Sequence, residues 1–220
     1  MKLSSETISV LKNFSTINAN LMVKAGSSLS TMSAMKNIIA KADVIEEFPI
    51  DFAIYDLNEF LSQLSLFGKP DLEFDKDFVT ITEEGTSDSL KYWFSDPSVV
   101  TTPAKAPSMP SPELTFNLSS ETLDRITKAG AVTGAPDMAL TGGKLTVTDK
   151  KNDTANVFET SLDVGDVVAE YKFWFKVDNL KIMPGAYDVE VSSKKISHFT
   201  NTKLGVQYWI ALEPESSYNG

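Results

Sequence analysis

Four groups of side chains in this chain stand at spacings that could support chemistry. Asp71, Glu73, Asp75 and Asp77 alternate like the ligands of a calcium loop, whose oxygens wrap a hard cation. Such a loop needs glycine at its sixth position and glutamate at its twelfth. Here those positions are Lys76 and Thr82, so the four acids read as the solvated face of a strand. Gly142-Gly143-Lys144 has the look of a phosphate-binding loop, but it lacks the upstream glycine and is followed by Leu145 where a hydroxyl residue is required, so a hairpin turn is expected. His198, the only histidine, has no carboxylate or nucleophile placed beside it by a recognisable motif and reads as a surface or loop residue. No Gly-x-Ser-x-Gly elbow occurs, and there is no cysteine to serve as thiolate or metal ligand. No catalytic constellation, cofactor or metal centre is expected. The fourth group is basic: Lys12, Arg125, Lys128 and Lys181 all fall opposite or beside apolar stripes, and Arg125 is the only arginine.

The elements that carry these residues can be read from periodicity. Thr7, Val10, Leu11, Phe14 and Ile17 recur at helical spacing, which predicts a helix from Ser4 to about Ile17 with Ser4 as N-cap and Glu6 in its first turn. Ser119 and Glu121 repeat the device, with Leu123 and Ile126 inward and Asp124, Arg125 and Lys128 outward. Leu57, Phe60, Leu61 and Leu64 predict a second, shorter helix opened by Asp56. Its counterpart has Val177 and Leu180 inward and is stopped by Met183-Pro184-Gly185 after barely two turns. Leu72, Phe74, Phe78 and the run Val79-Thr80-Ile81-Thr82 read as strands. The expected class is α+β, each half carrying two helices on a mostly antiparallel sheet. Between the halves, Pro97, Pro103, Pro107, Pro110 and Pro112 mark an extended, semi-rigid connector.

The two halves echo each other. Ser4-Ser5-Glu6-Thr7 returns as Ser119-Ser120-Glu121-Thr122, Ile54–Asn58 as Trp174–Asp178, and Tyr92-Trp93 as Tyr208-Trp209, at offsets of 115, 120 and 116 residues. Colinear markers at such a spacing imply a duplicated domain, because the period is too long for a solenoid repeat. The expected division is 1–97, a connector over 98–112, and 113–220. Composition supports packed cores, with 42% hydrophobic and 10% aromatic residues in 220. No run approaches the length of a membrane span and no signal peptide opens the chain, so a soluble, intracellular protein is expected. A net charge of −10, from 20 basic and 30 acidic residues, argues against a generally cationic nucleic-acid binder. A protein that encloses DNA escapes that argument, since it needs only a locally basic lining.

The chain resembles the sliding clamps of T-even-type bacteriophages, DNA polymerase processivity factors. The residues that carry the resemblance are Met1–Ser4, Leu11-Lys12-Asn13-Phe14 through Asn18, Asp51-Phe52-Ala53-Ile54-Tyr55-Asp56-Leu57-Asn58 with Leu64-Ser65-Leu66, Asp96-Pro97-Ser98, Met183-Pro184-Gly185 and Ala211-Leu212-Glu213. The stretches Ser27–Glu47 and Thr146–Val168 lie outside it. The resemblance implies a DNA-clamp fold: a homotrimeric ring of two-domain subunits, helices lining the hole and a continuous sheet outside. It further implies double-stranded DNA encircled without sequence preference, a tethered replicative polymerase, an ATP-driven clamp loader, no enzymatic activity, and a place in the host-cell cytoplasm as a viral protein.

On that reading Lys12, Arg125, Lys128 and Lys181 face the hole, with Lys24 just beyond the first helix. The similarity of such clamps to the eukaryotic proliferating cell nuclear antigen implies a partner pocket between connector and C-terminal segment, formed by Val99, Val100 and Met109 with Ile210, Leu212 and Pro214. The alternative from another class is a structural or adaptor β-rich protein of a phage particle, because duplicated β-rich domains with proline connectors also serve there.

Overall fold

Helix α1, Ser5–Ile17, forms where the apolar stripe predicts it, and Thr7, Val10, Leu11, Phe14 and Ile17 are its buried residues. The Ser4 hydroxyl accepts the Thr7 N–H at 3.1 Å. A second cap comes from outside the helix: the buried Glu46 carboxylate accepts the Ser4 N–H and the Thr7 hydroxyl. Together these satisfy donors that a helix start otherwise leaves unpaired, and they set a negative charge at its positive end.

The computed structural model describes all residues except 104, 106 and 166–168. The chain falls into two units, 1–106 with 203–206, and 107–202 with 207–220. In the first, α1 is followed by β1 (Leu21–Val23), β2 (Gly26–Met32), β3 (Ile38–Phe48), β4 (Phe52–Ile54), helix α2 (Leu57–Leu64), β5 (Pro70–Phe74), β6 (Phe78–Glu83), β7 (Ser89–Trp93) and a 310 turn at Pro97–Val99. All pairings are antiparallel: β1 with β4, β2 with β3, and β5-β6-β7 in a three-stranded sheet. Asp56 caps α2 by accepting the N–H groups of Asn58 (2.9 Å) and Glu59 (3.1 Å), and Leu57, Phe60 and Leu64 are buried. Helices α1 and α2 pack together, and Phe52 gathers Phe48, Phe74 and Phe94 within 5.9 Å, 5.3 Å and 4.8 Å between ring centres.

The second unit runs β8 (Leu114–Leu118), helix α3 (Ser120–Thr133), β9 (Asp137–Thr141), β10 (Lys144–Thr148), β11 (Phe158–Ser161), β12 (Glu170–Lys176), a 310 turn (Val177–Asn179), β13 (Tyr187–Ser192), β14 (Ile196–Asn201), β15 (Val206–Ala211) and β16 (Ser217–Asn219). One sheet has the order β11-β10-β9-β12-β16, and β15, β14, β13 and β8 lie side by side in another. Gly142 and Gly143 form the tight turn between β9 and β10, with φ of 53° and 72°, a left-handed pair that glycine adopts without strain. Ser119 caps α3 as Ser4 caps α1, its hydroxyl accepting the Thr122 N–H at 3.1 Å. Helix α3 ends at Gly134, whose φ of 68° is left-handed.

One expected element is corrected. The second half is expected to hold a short helix over Val177 and Leu180, and only the 310 turn forms there. The N-cap position that Asp56 fills in the first half is Lys176, which makes no side-chain cap. Pro184 pushes Met183 toward extended backbone, so the remaining run is too short to repay nucleation. Leu180 is still buried, and Val177 packs against α3, where a Cβ added at Gly130 would lie 2.6 Å from Val177 Cγ1. Among the described residues of the connector, the 310 turn at Pro97–Val99 is capped by Asp96, which accepts the Ser98 N–H at 2.8 Å, and the rest is neither helix nor strand. Thr101 N donates to Asn20 Oδ1 at 2.8 Å, tying the connector's start to the first unit.

Candidate nucleic-acid interface and partner surface

The solvent face of α1 consists of Ser5, Glu6, Ser9, Lys12 and Thr16, so Lys12 is the single cation on a short, mostly neutral surface. Its hydroxyls turn back on the helix: Ser9 donates to Ser5 O at 2.8 Å and Thr16 to Asn13 O at 2.7 Å. Helix α2 exposes Asn58, Glu59 and Ser62 and carries no basic residue. Helix α3 exposes Glu121, Asp124, Arg125 and Lys128. The Arg125 guanidinium lies 5.7 Å from the centre of the Phe158 ring, a cation–π contact that fixes it beside β11.

The other two basic candidates differ in setting. Lys181 is exposed but lies beyond the 310 turn rather than on a helix, because the expected helix does not form. Lys24 sits between β1 and β2 and pairs with Asp51 at 2.8 Å. Hydrogen bonds from Lys24 and the Ala25 N–H hold the Asp51 carboxyl below its ordinary value. The charge of Lys24 is thus already matched.

Of the partner-pocket candidates in the first unit, Val99 is 53% exposed at the end of its 310 turn and Val100 is half-buried. In the second unit Met109 is half-buried, Ile210 and Leu212 are buried, and Pro214 is exposed. Pro214 occupies the second position of a β-turn closed by Ser216 N donating to Glu213 O at 3.1 Å, where its fixed φ is an advantage.

Two charged constellations escaped the sequence reading. Around the Glu213–Ser216 turn, the Lys176 ammonium is 2.5 Å from the buried Asp137 and 3.7 Å from Glu213, while Lys150 is 3.5 Å from Glu213 and 3.1 Å from Glu215. The hydrogen bond to Asp137, working against desolvation, holds the Lys176 ammonium above its ordinary pKa. The second surrounds His198. Far from being a loop residue, it lies in β14 with Glu190 Oε2 2.9 Å from Nδ1, Gln207 Oε1 3.1 Å from Nε2, and the Trp209 ring stacked at 4.5 Å. The β13–β14 register sets Glu190 opposite His198, a cross-strand pair that a hairpin reading of Tyr187–Asn201 would have shown. The Thr200 hydroxyl also lies 3.3 Å from His198 Nε2, on the same strand, and no group of three or more acid, histidine or cysteine side chains suited to a metal occurs among the described residues. No helix among them is long and apolar enough to cross a membrane.

Comparison with known proteins agrees with this geometry. Residues 4–101 match the family of DNA polymerase processivity factors, and residues 115–214 match the C-terminal domain of the gp45 sliding clamp. The sliding clamp of Vibrio phage KVP40 is 36% identical over 97% of this chain and 99% of its own length, and that of Enterobacteria phage T4 is 30% identical over the full length of both. A solved chain of the PCNA2–PCNA3 complex from Sulfolobus tokodaii shares the fold, with a TM-score of 0.69 at 13% identity over 98% of this chain and 100% of that one. Two units, each carrying a serine-capped helix with a basic residue on its outer face, are thus joined to matches that cover both halves, and the chain belongs to the sliding clamps, the DNA polymerase processivity factors of T-even-type bacteriophages.

Proposed function

We propose that the chain acts without enzymatic activity as a closed homotrimeric ring, loaded onto duplex DNA by an ATP-driven loader in the host cytoplasm. Its domains are taken as 1–97 and 113–220 with the connector 98–112 between them. The polymerase, once attached to a ring that cannot leave sideways, rebinds the primer end at high effective concentration. The observation that carries the reading is the outward placement of Lys12 on α1 and of Arg125 and Lys128 on α3, on helices whose opposite faces are buried. A few cations meeting phosphates without base contacts give weak, salt-sensitive, sequence-independent affinity, which sliding needs. Lys181 contributes from the segment after the 310 turn, and Lys24, already paired, contributes least.

Ring closure draws support from two open sheet edges. Among the described residues β7 ends the three-stranded sheet and β11 ends the five-stranded one, and unpaired edges of this kind are hazards unless covered. A trimer with a charge of roughly −30 (from three chains of −10) repels DNA at long range, which suits controlled opening by a loader. The partner surface is assigned to Val99 and Val100 in the first unit and to Met109, Ile210, Leu212 and Pro214 in the second. The rival reading, an adaptor of a phage particle, finds no support in the matched families.

The test is the double variant Arg125→Glu/Lys128→Glu. Both side chains are exposed, so sedimentation should still give three chains per particle, while processive synthesis at moderate salt falls at least about tenfold as phosphate contacts turn repulsive. Unchanged processivity would remove the DNA-facing assignment.

A further inference from the structure

After β15 the chain leaves one sheet and must reach the edge of another, where β16 pairs with β12 over only Glu170–Lys172. An edge pairing of only three residues frays unless other contacts tie it down. Apolar burial supplies little here: Leu212 is buried before the turn, and Tyr218 stacks on Phe173 after it at 6.5 Å. Backbone bonds supply more. Leu212 N donates to Lys195 O at 2.9 Å, Glu213 N to Trp174 O at 2.8 Å, and Trp174 N to the Ser216 hydroxyl at 2.8 Å, while the Lys195 ammonium donates to Ser216 O.

The charged groups complete the attachment. A carboxylate stands on each side of Pro214: Glu213 is shared by Lys150 and Lys176, and Glu215 faces Lys150. The two lysines come from different strand ends, and Asp137 organises both. One of its oxygens takes the Lys176 ammonium and the other accepts the Lys150 N–H at 3.2 Å. The Lys150 ammonium is itself buried, and these carboxylates are the counter-charges beside it. Removing them would leave a buried cation uncompensated, so the turn and the lysines hold each other.

We propose that Lys150, Lys176 and Asp137 are positioning residues that fix the Glu213–Ser216 turn and thereby preset the polymerase-docking face at Pro214. The inference rests on the partner-surface reading given above. A face that is ordered before its partner arrives spares the partner the cost of ordering it, and losing the clasp should raise the apparent dissociation constant by the inverse of the fraction of time the turn stays formed.

The experiment uses the full-length clamp. Asp137→Asn/Lys176→Met removes the ion pair without stranding a buried charge, Lys150→Met leaves that pair in place and serves if the double variant folds poorly, and Lys176→Arg keeps the cation. Two quantities are read: amide exchange of residues 212–219, and binding of a T-even-type phage DNA polymerase to the clamp on circular primed DNA. The expected result is loss of nearly all protection in 212–219, with β13 and β14 unaffected, together with a rise in dissociation constant by the inverse of the fraction of time the turn stays formed, and recovery of both in Lys176→Arg. Unchanged exchange in both methionine variants overturns the clasp, whatever binding does. Faster exchange with unchanged binding keeps the clasp as a structural tether but overturns its positioning role, because the partner then docks elsewhere.

Discussion

Glu46 shows how much one side chain decides. It is a carboxylate 7% exposed in β3, yet it closes the start of α1 by accepting from Ser4 and Thr7. Burial pushes its carboxyl up, and the hydrogen bonds from Thr7 and Ser4 outweigh burial and hold it below its ordinary value. A carboxyl with a depressed folded-state pKa contributes stability that is complete above its unfolded value and is lost as pH falls through the folded one. Melting temperature should therefore drop more steeply below about pH 4.5 in the parent than in Glu46→Gln, and at neutral pH the variant should be less stable by ~1–2 kcal/mol, the usual cost of a lost charged cap. Parallel melting curves from pH 3 to 6 would count against the cap. The sequence did not reveal this residue. The alternation of β3 runs unbroken past a register shift opposite Ser27, with Ile38, Ala40, Ala42, Glu46 and Phe48 all inward, so the glutamate takes a core position while its neighbour Ile45 is 84% exposed, the reverse of what their side chains suggest.

At the scale of elements, α1, α2 and α3 were legible because an apolar stripe and a capping side chain pointed to the same boundaries. The Gly142-Gly143 hairpin was legible for the same reason, turn chemistry agreeing with flanking strands. The missing fourth helix was not, since Val177 and Leu180 have helical spacing whether or not a helix forms. The cap decided it: Lys176 stands where Asp56 does in the first half and turns toward Asp137 instead. The site was partly legible: helix faces with their cations follow from periodicity, whereas the ion pairs joining Asp137, Lys150, Lys176 and Glu213 depend on strands distant in sequence. Gly130 records the packing that replaced the helix. Alanine favours helix over glycine by about 1 kcal/mol, but here its Cβ would press on Val177, so Gly130→Ala should destabilise by ~1–3 kcal/mol. Adding Val177→Ala should recover part of that loss, as contacting sites are not additive. A stabilised Gly130→Ala single variant in urea unfolding would show that α3 shifts freely.

For the whole molecule the question is which edges close the ring. Strand β7 carries Trp93, 62% exposed, with Phe78 at 5.1 Å and the Lys91 ammonium 3.9 Å from the Phe78 ring centre. A large aromatic left outward on an open edge is the kind of anchor that dominates assembly energetics. Trp93→Glu should give folded single chains by sedimentation at micromolar concentration, with unchanged near-native secondary structure. A trimer that persists in this variant would place the closing contact elsewhere. The duplication itself was visible in the sequence through Ser4–Thr7 and Ser119–Thr122, because capping residues are tied to backbone geometry and tolerate little exchange.

The hydroxyl and amide faces of α1 and α2 bear on speed. Ser5, Ser9, Thr16, Asn58 and Ser62 are exposed where lysines would have fitted, and Ser9, Thr16 and Ser62 spend their donors on their own helix. Every direct cation–phosphate pair must break before a ring advances, whereas water between a hydroxyl and a phosphate rearranges with little resistance. On the proposed reading, in which these helix faces meet the DNA a ring encloses, sparse charge would mean low friction: one-dimensional diffusion would be set by hydration-layer exchange more than by ion-pair rupture, and adding lysines at Ser9 or Ser62 should slow travel even as it tightens the hold.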